Sequence, residues 1–249
     1  MARQKGLFKV TGTLGDVNFY VVKGVGYARK AGGGFNGKAI RTQPNMIRVR
    51  ENASEFGHCS KTKKQFRLAL LPLFDPPKSS TLHRRLMGLF TQLKDLDATS
   101  QRGQRRVAHG ITTAKGKQLL KDFVFVPECK ATAFVPAPSH FDWATQTLTL
   151  ASLHLEQLRF PKGATHLALT LGVLDFNFDS LTHTLHCSPT AFLEQGTVSP
   201  GVTLTPDVIA TPTATGLAVL GLQFVEVLDG EVYGLKAINA HGCKIIGIV

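Results

Sequence analysis

In AGGGFNGKA, residues 31–39, Gly32, Gly37 and Lys38 hold the G-x-x-x-x-G-K spacing of a loop that cradles phosphate. That chemistry also needs a hydroxyl on the next residue for magnesium, a buried strand before the loop and a helix after it. Ala39 has no hydroxyl, the polar YARK precedes, and Pro44 stands against a long helix just beyond. The stretch therefore reads as a glycine-rich hinge. Metal chemistry has similar fragments. His183, His186 and Cys187 sit in LTHTLHC, and His241 and Cys243 in AHGCK, but no pair has the spacing of a zinc finger. Asp175 and Asp179 in LDFNFDS would share a strand face, as a calcium site or, the expected reading, an exposed acidic edge that deters strand pairing. Cys59 follows His58, and adjacent side chains diverge on a helix, so the two do not make a nucleophile–base pair. There is no G-x-S-x-G. The expectation is a protein that is not an enzyme and holds no cofactor or metal.

The basic residues offer a different chemistry. Residues 1–125 carry 24 Lys and Arg against 7 Asp and Glu, a balance of +17, and residues 126–249 carry 5 against 10, a balance of −5. Lys61, Lys63, Lys64 and Arg67 crowd one stretch, His83-Arg84-Arg85 follows, and Arg102, Arg105 and Arg106 come after. Lys61, Lys63, Lys64, Arg67, Arg84, Arg85, Arg105 and Arg106 are thus the candidate anion- or partner-binding set. Two partners fit it. One is nucleic acid, through contacts to phosphate, although no aromatic residues interleave the cations as a stacking platform would require. The other is the acidic half of a neighbouring copy.

The elements that must position these residues fall into three stretches. Residues 1–47 read as a β-ribbon and Gly-rich arm, the ribbon over 6–30 with strands at GLFKVTG, VNFYVV and YARK separated by turns at 13–16 and 23–26. A glycine-rich, then polar and basic, extended arm follows over 31–50. Residues 48–121 read as a basic helical hairpin. One helix lies within 48–74 and stops at Asp75-Pro76-Pro77, and a second over 81–95 is capped from Ser79-Ser80-Thr81 with Leu82, Leu86, Leu89, Phe90 and Leu93 as its apolar stripe. One short helix is expected before Lys121. Residues 122–249 read as eight or nine antiparallel strands, beginning with FVFVP and KATAFVPAP and punctuated by turn signals, of which Leu228-Asp229-Gly230-Glu231 is the strongest. The fold class is α+β, ending in an antiparallel β-sandwich of jelly-roll or immunoglobulin-like kind. Trp143, in HFDWAT, is expected in a core or interface.

The four cysteines (Cys59, Cys129, Cys187, Cys243) have no C-x-x-C pairing and read as reduced thiols. MARQKGLFKVTG has no apolar run of a secretory signal, and no run is apolar enough for a membrane span. The chain is therefore expected to be made in the cytoplasm, whether it stays there or leaves within an extracellular or phage-like assembly.

MARQKG at 1–6, GTLGDVNFY at 12–20 and RVRENASEFG at 48–57 together resemble a family of uncharacterised bacterial proteins. Its members open with MARQKG, continue with G-T-x-G-x-x-x-F-Y, and carry an R-x-R-E-N-x-x-E-F-G box that leads into a basic helix. The similarity covers about the first 110 residues. It implies that ribbon, arm and box are one design, and it transfers no catalytic residues.

A ribbon that can hardly stand alone, joined to halves of opposite charge, suits self-assembly. The expected function is a non-enzymatic structural subunit of a homopolymer, such as a filament, a phage-like tube or a shell. Phe19, Tyr20, Tyr27, Gly32, Gly33, Gly34 and Phe35 would form the inter-subunit arm. The alternative is a protein that binds or packages nucleic acid with its basic helices.

Overall fold

The first strands of the chain pair almost entirely with their own neighbours in sequence. The structure, a computed structural model, describes residues 2–6, 8–31, 37–134, 139–209 and 211–249. The chain divides into two compact units, Met1–Arg50 and Glu51–Val249. In the first, β1 (Ala2–Arg3), β2 (Gly12–Leu14), β3 (Val17–Val22) and β4 (Val25–Lys30) form an antiparallel sheet in the order β1-β4-β3-β2. Lys23 (φ 47°) and Gly24 (φ 78°) make the tight two-residue turn between β3 and β4.

Of residues 6–12, expected as strand, Gly12 belongs to β2 while 6 and 8–11 are not strand, and residue 7 lies outside the described residues. The Gln4 amide takes the place of a ladder: its nitrogen donates to the Val10 and Tyr27 carbonyls at 3.0 Å, and its oxygen accepts from the Val10 N–H at 2.8 Å. The extended arm expected to Arg50 is instead helical from Gly37, with α1 (Gly37–Thr42), a 3-10 turn at Pro44–Met46 and the start of α2 (Ile47–Ala69). Arg50 stabilises this turn by donating to the carbonyls of Ile40 (2.6 Å) and Gln43 (3.0 Å). The expected hinge residues Gly32, Gly33, Gly34 and Phe35 lie outside the described residues.

The second unit is built on one sheet. α3 (Ser80–Asp95), α4 (Val107–Ile111), α5 (Ala114–Lys121) and α6 (Ala131–Phe134) follow α2. The Ser79 hydroxyl caps α3 by accepting from the Leu82 N–H at 3.2 Å, and Leu82, Leu86, Leu89, Phe90 and Leu93 are all buried, as their spacing predicts. Two short helices, not one, precede residue 122. FVFVP is not a strand: Phe125 and Val126 are buried without a ladder, Phe125 meeting Phe74 and Phe123 edge-on; of KATAFVPAP, residues 131–134 are α6 and 135–138 lie outside the described residues.

The remaining strands are β5 (His140–Asp142), β6 (Thr147–Leu150), β7 (Leu153–His154), β8 (His166–Phe176), β9 (His183–Cys187), β10 (Ala191–Glu194), β11 (Val198–Ser199), β12 (Val202–Leu204), β13 (Thr215–Leu228), β14 (Glu231–Gly234) and β15 (His241–Ile248). β8 and β13 form the centre of a six-stranded antiparallel sheet; β9 and β10 share the outer edge of β8, and β14 and β15 that of β13. Small sheets β12-β6-β5 and β11-β7 complete the strand set. The Leu228–Glu231 turn is as expected, with Asp229 (φ 51°) and Gly230 (φ 84°) both left-handed.

The fold is α+β as expected, and the antiparallel sheets of the C-terminal half fit a sandwich, with helices packed on one face of the main sheet. Gly172 and Gly221 lie on that face under Leu73, where any side chain would run into it, and Phe176 packs edge-on to Phe66. On the other face Phe160 meets Phe224 and Trp143 lies over Gly247. Helices and sheet share one continuous core, so the helical stretch from Glu51 onward and residues 122–249, separate by sequence pattern, meet inside a single unit. Among the described residues, no helix is long and apolar enough to cross a membrane.

Candidate functional site

Lys61, Lys64 and Leu68 recur at three- and four-residue spacing along α2 and so share a face with one another, and Leu71 continues the line just past its end. Lys63 and Arg67 flank that face. Leu82, His83 and Leu86 of α3 stand opposite, and the two sides enclose a cavity of about 520 Å³. Its walls are leucines, and every charged side chain that lines it is a cation.

Lys63 is the unusual member. It is 6% exposed, and its Nζ lies 3.0 Å from Nδ1 and 3.3 Å from Nε2 of His83. Among the described residues, no carboxylate pairs with Lys61, Lys63, Lys64 or Arg67. Burial pushes the Lys63 ammonium below its ordinary pKa, and the Arg67 charge adds to the effect. A buried cation with no carboxylate partner costs folding free energy, which a bound anion would recover.

The other expected cations are employed differently. Arg84 is exposed on α3. Arg85 donates to the Phe125 carbonyl (3.4 Å) with its guanidinium 5.3 Å from the Phe123 ring centre. Arg105 leaves the anion-binding set, because Glu55 and Asp95 already answer its charge within the chain. Arg106 donates through its N–H to Asp97 (2.9 Å), and its guanidinium meets His58 Nδ1 (2.9 Å). Four of the eight therefore gather around one cavity. Of the apolar residues around it, Leu82 and Leu86 are expected from sequence only as the stripe of the second helix, and Leu68 and Leu71 are not assigned to a site, although they follow from helical phase counted from Lys61.

The R-x-R-E-N-x-x-E-F-G stretch has a fastening role. Glu51 pairs with Arg102 (3.3 Å), and the Asn52 side-chain oxygen accepts from the same guanidinium (3.3 Å). Glu55, 4% exposed, accepts two bonds from Arg105 (2.8 Å each), one from Lys94 (2.8 Å) and one from the Gly103 N–H (2.7 Å). Hydrogen bonding from Arg105 foremost, aided by Lys94 and Gly103 against the cost of burial, lowers its pKa to about 2. The loop between α3 and α4 is held to α2 by these contacts.

The remaining chemical fragments are placed as parts of the fold. Cys59 is buried with its thiol toward the Phe90 carbonyl, and burial pushes its pKa up to about 11, while His58 turns to Thr62 and Arg106. Asp175 and Asp179 do not share a strand face, since β8 ends at Phe176. Asp175 is no bare edge charge either: it accepts from Thr213 (N–H 2.7 Å, hydroxyl 2.8 Å) and the Ala214 N–H (3.0 Å). Among the described residues, no three His, Cys, Asp or Glu side chains gather as metal ligands.

The ribbon residues expected at an interface are brought together on the two sides of one small sheet. Tyr20 and Tyr27 are opposite in register with stacked rings 5.7 Å apart, and Arg29 sits over Tyr20 at 5.6 Å. Phe19 is on the other side with Leu14, Val17 and Val21. Comparison with protein-family models, with curated proteins and with solved structures returned no match.

Proposed function

We propose that the protein is a non-enzymatic structural subunit that joins copies of itself, through its N-terminal ribbon, into a homopolymer such as a filament, a phage-like tube or a shell. One observation carries this reading: in the four-stranded ribbon Gly26 is the only buried residue among those described, while Leu14 is 77% exposed and Val21 and Val25 are exposed as well. A small sheet gains stability by packing an apolar face against something. In a homopolymer that something is another subunit, and a head-to-tail contact that does not close extends without limit.

Sedimentation and negative-stain imaging of the full chain at rising concentration test the reading. Large assemblies are expected from the natural sequence, and folded, smaller species from a Leu14→Lys, Val21→Lys variant. A full-length protein that stays monomeric at high concentration and low salt overturns it.

The second reading, binding or packaging of nucleic acid, is favoured by the cations around the α2–α3 cavity that lack carboxylate partners. It predicts a mobility shift with a steep salt slope that shrinks when Lys61, Lys63 and Lys64 are replaced.

A further inference from the structure

The end of β13 runs past its two long neighbours, β8 and β15, and the Val227 N–H donates to the hydroxyl of Thr165, just before β8, at 2.8 Å. The pairing of β13 with β8 stops at Val225 and with β15 at Gln223, so Glu226–Leu228 have only β14 as a strand partner. The result is a two-stranded tongue, EVLDGEVYG, exposed along nearly all its length. Its composition is narrow. Glu226, Asp229 and Glu231 are exposed acids that make no ion pair among the described residues, and the tongue has no cation. Between them stand Leu228 (58% exposed), Val232 (49%) and Tyr233 (54%).

The α2–α3 cavity is the complement of this tongue: leucine walls, a cationic rim, and a buried Lys63 with no carboxylate. The two features are also neighbours. Arg67 lines the cavity and also a second cleft, which Gly234 and Leu235 at the root of the tongue line as well. Complementary patches set side by side on one surface pair reciprocally when two copies meet about a two-fold axis, each tongue entering the other's cavity.

We infer that the α2–α3 cavity is the receptor for the acidic β13–β14 tongue of a second copy, forming a two-fold dimer. Carboxylates from the tongue supply the counter-charges that Lys61, Lys63, Lys64 and Arg67 lack, and its apolar side chains cover Leu68 and Leu71. The inference rests on the homopolymer reading and adds a second joint, distinct from the ribbon, so that dimers become the repeating unit.

Charge exchange tests it on the full chain, with Leu14→Lys, Val21→Lys as background so that the ribbon joint is silent. Sedimentation velocity at low salt is expected to show a dimer in that background. Lys61→Glu, Lys64→Glu should weaken dimerisation at least about tenfold, as should Glu226→Lys, Glu231→Lys. Mixing the two variants, or combining all four changes in one chain, should restore it. These residues are exposed, and circular dichroism checks that each variant is folded. Charge-reversed variants that dimerise as the background does overturn the inference and leave the homopolymer reading intact, whereas a natural-sequence protein that never self-associates overturns both. A lysine pair whose reversal removes only binding to a single-stranded oligonucleotide makes the cavity a nucleic-acid site and also overturns the inference.

Discussion

Glu55 and Arg105 meet as two forks, Nε to Oε1 and Nη2 to Oε2, both at 2.8 Å, while Lys94 Nζ reaches Oε2 at 2.8 Å. The three residues come from α2, α3 and the loop before α4, so one carboxylate ties three segments together. Removing its charge leaves Lys94, itself 6% exposed, with only Asp95, which is exposed. Glu55→Gln should therefore destabilise the fold by about 3–5 kcal/mol. Urea unfolding measures this, and a loss under about 0.5 kcal/mol would contradict the account.

Acid should act through the same group. The Glu55 pKa falls from an ordinary 4.5 to about 2 on folding, so its contribution is fully present above pH 4.5 and is lost as pH falls toward 2. A shift of that size is worth about 3 kcal/mol. Asp97 adds in the same direction: burial opposes its ionisation, but the Arg106 N–H and the bonds from Ser100 and Thr99 outweigh it and hold it below the usual carboxylate range. Unfolding free energy measured from pH 6 to pH 2 should fall more steeply in the natural protein than in Glu55→Gln.

Lys63→Met should move stability the other way. Because burial disfavours the ionised Lys63, the folded state at neutral pH carries a cost that methionine does not. The variant is expected to gain about 1 kcal/mol and, under the proposed dimer, to associate more weakly. A lower melting temperature would show instead that the Lys63–His83 contact is a net stabiliser.

Gly110 marks the closest approach of α4 to α3. A methyl group there would strike the Leu93 carbonyl, so Gly110→Ala should cost about 1–3 kcal/mol. Gly88 is the control: it lies inside α3 with nothing near its missing side chain, and Gly88→Ala should stabilise by roughly 0.5–1 kcal/mol. Thermal unfolding of the pair gives both signs in one experiment.

What could be read from the sequence was local. The Ser79 cap, the Leu82–Leu93 stripe and the Asp229-Gly230 turn each depend on residues within a dozen positions, and each is present. The helical start at Gly37 escaped because its support, Arg50 on two carbonyls, overrides a glycine-rich and proline-containing composition. Phe123–Val126 is an apolar, β-prone run like a buried strand but has no ladder partner; its apolar residues serve a loop that packs on Phe74. Half of the cavity was legible in the phase of Lys61, Lys64, Leu68 and Leu71. The other half, His83 and Leu82, depends on how α3 lies against α2. Glu55 was one acid in a motif, and its partners stand 39 and 50 positions away.

The centre of the main sheet has a consequence for timing. β8 and β13 pair from Phe176 against Thr215 to His166 against Val225, partners separated by 39 positions at one end and 59 at the other. That ladder forms only after a long loop closes, which slows folding. The ribbon closes over short turns, β2 to β3 and β3 to β4. On a growing chain the ribbon is complete while β13 has yet to be synthesised. Under the proposed homopolymer reading, the interval before the body closes is a window in which ribbons of unfinished chains would meet, so that pairing would begin at the ribosome.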